Sequence, residues 1–138
     1  MKNLIQSIAL KIVGIFMVFI AIGWATSVSA YERQSSNKNS VRVDVVPIEL
    51  NSGKPAKFKI RMNTHSVALD FDMAAISILK DDQGREYQPL NWKGSSPGGH
   101  HRSGVLEFSA INAGSKSITL HIKNIAGVPE RVFKWKIR

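Results

Sequence analysis

Apolar and polar residues alternate along most of the chain after residue 40. The apolar positions that recur at every second residue are Val41, Val43, Val45, Phe58, Ile60, Met62, Ile118, Leu120, Ile122, Phe133, Trp135 and Ile137. Alternation of this kind is typical of β-strands that bury one face and expose the other. A further apolar set at Val67, Leu69 and Phe71 predicts one more extended segment.

Turn sequences separate these alternating segments. They include residues 51–55 (NSGKP), 81–84 (DDQG) and 126–129 (AGVP), and the last of them predicts a hairpin near the end of the chain. About seven short strands at this spacing predict an all-β domain over residues 41–138, an immunoglobulin-like antiparallel β-sandwich. A small Greek-key barrel is the alternative.

Residues 1–30 have the composition of a targeting segment. Lys2 and Lys11 are their only charged side chains, an apolar run follows from residue 12, and Val28, Ser29 and Ala30 offer a small-residue cleavage site. The sequence predicts an N-terminal signal helix cleaved after Ala30. An uncleaved membrane anchor is the alternative, because about 20 apolar residues are enough to cross a bilayer.

Residues 31–40 (YERQSSNKNS) are polar and without apolar period, which predicts a flexible linker before the domain. The arrangement places the domain outside the cytoplasm. We expect a periplasmic, cell-surface or secreted protein, or one anchored to the cytoplasmic membrane by its N-terminal helix.

Composition limits the chemistry that the domain can perform. The chain has no cysteine, so disulfides, thiolate nucleophiles and zinc–thiolate sites are excluded. Its formal net charge of +9 falls only to +7 when residues 1–30 are removed. A basic exported domain is attracted to anionic lipids, anionic envelope polymers or acidic envelope proteins, and nucleic acid is an unsuitable partner in that compartment.

The most unusual segment is residues 93–104 (KGSSPGGHHRSG), predicted as a long loop. Gly98 and Gly99 would let the backbone approach a ligand, His100 and His101 offer adjacent imidazoles, and Arg102 can bind an anion.

A second candidate segment contains His65, Asp70 and Asp72. If it lies beside the loop, three imidazoles and a carboxylate would suit zinc or copper(II). The alternative is structural, with the histidines pinning the loop by hydrogen bonds and the two carboxylates holding the arginine.

Four short motifs carry a resemblance. They are THS at 64–66, DFD at 70–72, GGHHR at 98–102 and GVPER at 127–131. Together they resemble small exported prokaryotic β-sandwich domains of an uncharacterised family. The resemblance implies an envelope location and no particular activity.

No catalytic motif is present, because no nucleophile stands beside a base in a known pattern and no phosphate-binding loop occurs. The sequence therefore predicts a non-catalytic, exported binding or accessory domain of the cell envelope. A divalent transition metal is the ligand to test first. The alternative is an interaction module whose basic face binds a protein partner or an anionic envelope polymer. That face is predicted from Lys123, Lys134, Lys136 and Arg138.

Overall fold

The structure, a computed structural model, describes residues 31–138, which form two antiparallel β-sheets. Predictions for residues 1–30 lie outside the described residues. The strands are β1 (Gln34–Lys38), β2 (Val41–Glu49), β3 (Pro55–Thr64), β4 (Ser77–Asp81), β5 (Glu86–Tyr87), β6 (Pro89–Gly94), β7 (His101–Ala110), β8 (Ser117–Ile125) and β9 (Val128–Lys136). The all-β prediction is confirmed. Within residues 31–138, no helix has the length and apolar character needed to cross a bilayer.

The five-stranded sheet has the order β1-β2-β3-β7-β6, and the four-stranded sheet has the order β5-β4-β8-β9. The alternating apolar residues of both sheets face one shared core, as their spacing predicts. Phe58 contacts rings from each sheet: its ring centre is 5.8 Å from that of Phe108 and 5.5 Å from that of Trp135. Burial of these rings and of the aliphatic side chains around them supplies the main stabilisation.

The strands run between two ends of the domain. At the histidine end lie the β1–β2 turn, the loops 65–76 and 95–100, and the β8–β9 turn at Ala126 and Gly127. At the Tyr31 end lie Tyr31, Arg138, and the turns and loops 50–54, 82–85 and 111–116. The predicted terminal hairpin is confirmed, since β8 and β9 pair around the 126–127 turn.

The prediction of a flexible linker over residues 31–40 is wrong, because Gln34–Lys38 is a strand that pairs with β2. Polar side chains hold this strand in place of apolar burial. The Gln34 amide bonds both main-chain groups of Lys134 on β9, and the Trp135 indole N–H donates to Glu32 O at 2.8 Å. Residues 31–38 therefore bridge the two sheets.

Arg131 on β9 makes the strongest of these links. Its side chain is 1% exposed. The guanidinium donates to Ser36 O at 3.1 Å, to Val41 O at 3.0 Å and to Lys38 O at 2.8 Å. Burial lowers the pKa of Arg131. The buried arginine thus connects the β1–β2 hairpin of one sheet to β9, the edge strand of the other.

We expect Arg131→Met to lower the free energy of unfolding by about 3 kcal/mol, because one buried and two partly buried carbonyl groups lose their donor while most of the side-chain volume is retained. The exposed Arg85→Met is the matched control and should stay within about 0.5 kcal/mol of the parent. Urea unfolding of residues 31–138 measures both. Equal midpoints for the two variants would contradict the assignment.

At the Tyr31 end, the carboxylate of Asp81 holds a turn and a loop together. Its Oδ1 accepts N–H bonds from Gln83 and Arg85, and its Oδ2 accepts hydroxyl bonds from Tyr87 and Ser115, all at 2.9 Å. Burial alone raises the pKa of Asp81, but these hydrogen bonds outweigh it and leave the pKa below its ordinary value. The charged form is therefore the one that the fold prefers.

A carboxyl group with a depressed folded pKa stabilises the protein above its unfolded pKa, about 3.9, and that stabilisation disappears as pH falls through the folded pKa. We expect Asp81→Asn to be less stable than the parent at pH 7. The difference should shrink as the pH is lowered from 4 to 2. Urea unfolding of both proteins across this range tests the account, which a constant difference would contradict.

Candidate functional site

The two loops predicted to carry the site lie side by side at the histidine end. Gly98 N donates to Leu69 O at 2.8 Å, Leu69 N donates to Gly99 O at 3.1 Å, and Thr64 N donates to His100 O at 3.0 Å. The backbone φ angles of Gly98 and Gly99 are 114° and 71°, values that residues with a side chain rarely adopt. The glycines therefore shape a loop that pairs with its neighbour.

Both segments differ in extent from their predictions. The loop is confined to residues 95–100, because Lys93 and Gly94 belong to β6 and residues 101–104 belong to β7. The segment with Val67, Leu69 and Phe71 is a loop rather than a strand. Its backbone groups bond to the glycine loop and to Arg102 instead of a neighbouring strand.

Arg102 supports these loops from inside. Its side chain is 3% exposed, and its Nη1 donates to Leu69 O at 3.0 Å and to Phe71 O at 2.6 Å. The guanidinium also lies 5.6 Å from the ring centre of Trp92. Burial lowers the pKa of Arg102, and the charges of Asp72 and Asp70 act in the opposite direction. Because Arg102 is buried and donates to main-chain carbonyl oxygens, its guanidinium is poorly placed to bind an external anion.

His65, His100 and His101 are exposed, and among their side chains in the described residues only that of His101 is hydrogen-bonded. His101 Nδ1 lies 2.8 Å from Asn63 Oδ1, while His65 lines a different cavity. Asp72 Oδ1 accepts N–H bonds from Ala74 and Ala75, which start the turn after the loop. Among residues 31–138, no three His, Asp or Glu side chains gather so as to hold a metal ion. The predicted zinc or copper ligands are therefore near one another but do not form a ligand set.

Three shallow cavities adjoin on the outer face of the five-stranded sheet. Their volumes are about 400, 260 and 140 Å³. Arg61 lines the second and third, and Asn63 lines the first and second. We call this continuous region the Arg61 surface; the residues that define it are Arg33, Arg42, Asp44, Lys59, Arg61, Asn63, His65, His101 and Ser103.

The Arg61 surface is predominantly cationic. Its one carboxylate, Asp44, accepts bonds from Arg42 at 2.9 Å and from Ser35. Burial raises the pKa of Asp44, but the bonds from Ser35 and Arg42 outweigh it and hold the pKa below its ordinary value. Within residues 31–138, neither Lys59 nor Arg61 forms a salt bridge. Lys59 and Arg61 therefore face solvent without a salt bridge, although Asp44 lies opposite Arg61 in the pairing of β2 with β3.

The geometry of β3 aligns these two cations. Lys59 and Arg61 are exposed residues two positions apart on one strand, so they project from the same face about 6.6 Å apart. Asn63 continues the row and lies opposite His101 on β7. The surface therefore offers two charges followed by hydrogen-bonding groups along one line.

The basic face predicted on the other sheet is less uniform. Lys134 and Lys136 lie opposite Thr119 and Ser117, and no acid separates them. Lys123, however, lies opposite Glu130, whose Oε1 is 2.7 Å from Nδ1 of His121. Acidic and basic groups alternate along this part of the sheet, which lowers its attraction for a polyanion.

Lys59, Arg61 and Asn63 were not predicted as site residues. A usable signal existed, because every outward position from Lys57 to Arg61 is cationic once β3 is assigned. The sequence does not show how the strands pair: β2 places Asp44 opposite Arg61, but the Asp44 carboxylate bonds to Arg42 and Ser35. No protein-family model, no curated protein and no solved structure matches the chain.

Proposed function

We propose that residues 31–138 form a non-catalytic, exported binding domain that holds an anionic polymer of the cell envelope on the Arg61 surface. The supporting observation is the exposed pair Lys59 and Arg61 on the central strand, neither of which forms a salt bridge among the described residues. Arginine suits this role because its guanidinium can make two parallel hydrogen bonds to one phosphate or carboxylate.

A polymer fits this surface better than a compact ligand. Small-molecule sites usually enclose most of their ligand, whereas these three cavities are shallow and joined in a row. A chain with repeated phosphate or carboxylate groups can contact Lys59 and Arg61 in succession. Asn63 and His101 would then bond its hydroxyl groups.

We infer that this domain is an immunoglobulin-like sandwich. The orders β2-β3-β7-β6 and β5-β4-β8-β9 correspond to the two sheets of that architecture, with β1 as an added edge strand. In such folds, exposed sheet faces and end loops carry binding functions on a rigid core. Export rests on the composition of residues 1–30.

The polymer hypothesis is tested with Lys59→Gln/Arg61→Gln in residues 31–138, titrated with long-chain polyphosphate and with polygalacturonate at 0.1 M salt. We expect at least tenfold weaker binding of the preferred polymer and a less steep dependence on salt, because two ionic contacts are lost. Isothermal titration calorimetry gives both quantities.

Lys134→Gln/Lys136→Gln is the matched control, since it removes the same charge from the other sheet. It should keep at least half of the parent affinity. Equal weakening by both double variants would show that net charge alone drives binding and would contradict a site at Lys59 and Arg61. Binding that disappears with a chelator would support the metal hypothesis instead.

A further inference from the structure

We propose that the Tyr31 end is a docking surface for anionic phospholipid headgroups, on which the domain rests when residues 1–30 remain as its membrane anchor. This inference does not depend on the polymer hypothesis, because it uses the opposite end of the domain. The chain enters the domain at Tyr31, and the charges around this residue determine what the surface can bind.

The folded domain begins a short distance after the apolar segment, from which residues 26–30 (TSVSA) separate it in sequence. Tyr31 Oη donates to Leu50 O at 2.8 Å and accepts the N–H of Arg138 at 3.1 Å. The guanidinium of Arg138 lies 5.5 Å from the Tyr31 ring centre, and Glu32 O accepts the indole N–H of Trp135. Tyr31 is therefore fixed to the domain by several contacts.

These contacts leave at most a short spacer between domain and bilayer. In the anchor alternative no more than residues 26–30 separate the apolar run from Tyr31, and five extended residues span at most about 18 Å. If ten further flexible residues intervened, they would let the domain move tens of ångströms away in any orientation. With residues 31–38 folded onto both sheets, the Tyr31 end stays close to the membrane surface.

The exposed cations around this end suit that position. Five of them lie on its turns, loops and strand ends, and none forms a salt bridge within residues 31–138: Lys54, Arg85, Lys116, Lys136 and Arg138. Four exposed acids, Glu32, Glu49, Asp82 and Glu86, also lie at this end, and two of them are paired, Glu49 with Lys57 and Glu86 with Lys80. Asp82 accepts the N–H groups of Lys116 and Ser117, so its oxygens are partly engaged by the turn.

Exposed apolar side chains add to this surface. Three large apolar side chains are at least half exposed in residues 31–138, and two of them, Ile48 and Leu90, lie within two residues of strand ends at the Tyr31 end. Basic residues beside apolar ones suit the headgroup region of a bilayer. With nine residues in β2, the histidine end would stand about 30 Å farther out.

The test uses the full chain in lipid nanodiscs, and its lack of cysteine permits single labelled sites. Ala113→Cys marks the Tyr31 end and Ser96→Cys marks the histidine end, both at exposed positions. Energy transfer from each label to headgroup acceptors reports its height. In discs with 30% phosphatidylglycerol we expect efficient transfer from residue 113 and weak transfer from residue 96, consistent with a height difference of about 30 Å.

Charge dependence identifies the headgroups as the partner. The triple variant Lys54→Gln/Lys116→Gln/Lys136→Gln should lose most of the difference between the two labels, as should the parent in purely zwitterionic discs. The matched triple Lys59→Gln/Arg61→Gln/Lys93→Gln removes equal charge elsewhere and should keep the difference. That control is expected to lose polymer binding, so the two proposals fail separately.

Three outcomes would overturn the inference. Equal transfer from both labels in anionic discs would show that the domain has no fixed orientation. An unchanged difference in the first triple variant would show that these cations do not contact lipid. Recovery from cell envelopes of only the form that begins at Tyr31, as measured by intact mass, would show that no anchor holds the domain there.

Discussion

The hydrogen bonds that Arg131 donates across the two sheets are the interaction on which the rest of this structure depends. A guanidinium that is nearly inaccessible to water binds three carbonyl oxygens of the β1–β2 hairpin. Because both charged and polar groups lose water there, the arrangement persists only while donor and acceptors meet. That requirement fixes β1, and β1 in turn fixes the position at which the chain enters the domain.

Arg102 uses the same chemistry at the same end of the domain. It too binds backbone carbonyls, of Leu69 and Phe71, without a carboxylate in its hydrogen bonds. Arg102 satisfies backbone groups of a loop outside the regular ladders, whereas Arg131 binds carbonyl groups of the paired strands β1 and β2. The histidine end is consequently a rigid support, and the surface with free cations lies on the adjacent sheet face. The distance between Lys59 and Arg61 on that face is set by the two-residue repeat of the β-strand.

How far the sequence predicts this molecule depends on the kind of interaction. Burial of Val41, Val43 and Val45 follows from alternation, since a strand with one buried face imposes that period. The ordering of Gln34–Lys38 does not follow from local sequence, because polar residues without a period resemble a linker until partners are known. Those partners, Arg131 and Lys134, are about 100 positions away.

The site shows the same limit. The proximity of the His65 segment and the glycine loop was predicted and observed, but their side chains do not converge on one point. Arg102 looks like an exposed anion ligand in sequence because nothing local reveals its burial beneath Leu69. Lys59 and Arg61 resemble ordinary solvated residues, and only the structure shows that Asp44, which lies opposite Arg61, bonds to Arg42 and Ser35 instead.

The central claim is that residues 31–38 belong to the folded domain and bridge its two sheets. Hydrogen exchange of the native protein measures this directly, because main-chain amides bonded in a cooperative unit exchange only when that unit opens. The account predicts that the ladder amides of Gln34–Lys38 are protected within about tenfold of those of Val41–Glu49. Exchange of Gln34–Lys38 at the rate of an unstructured peptide would contradict it.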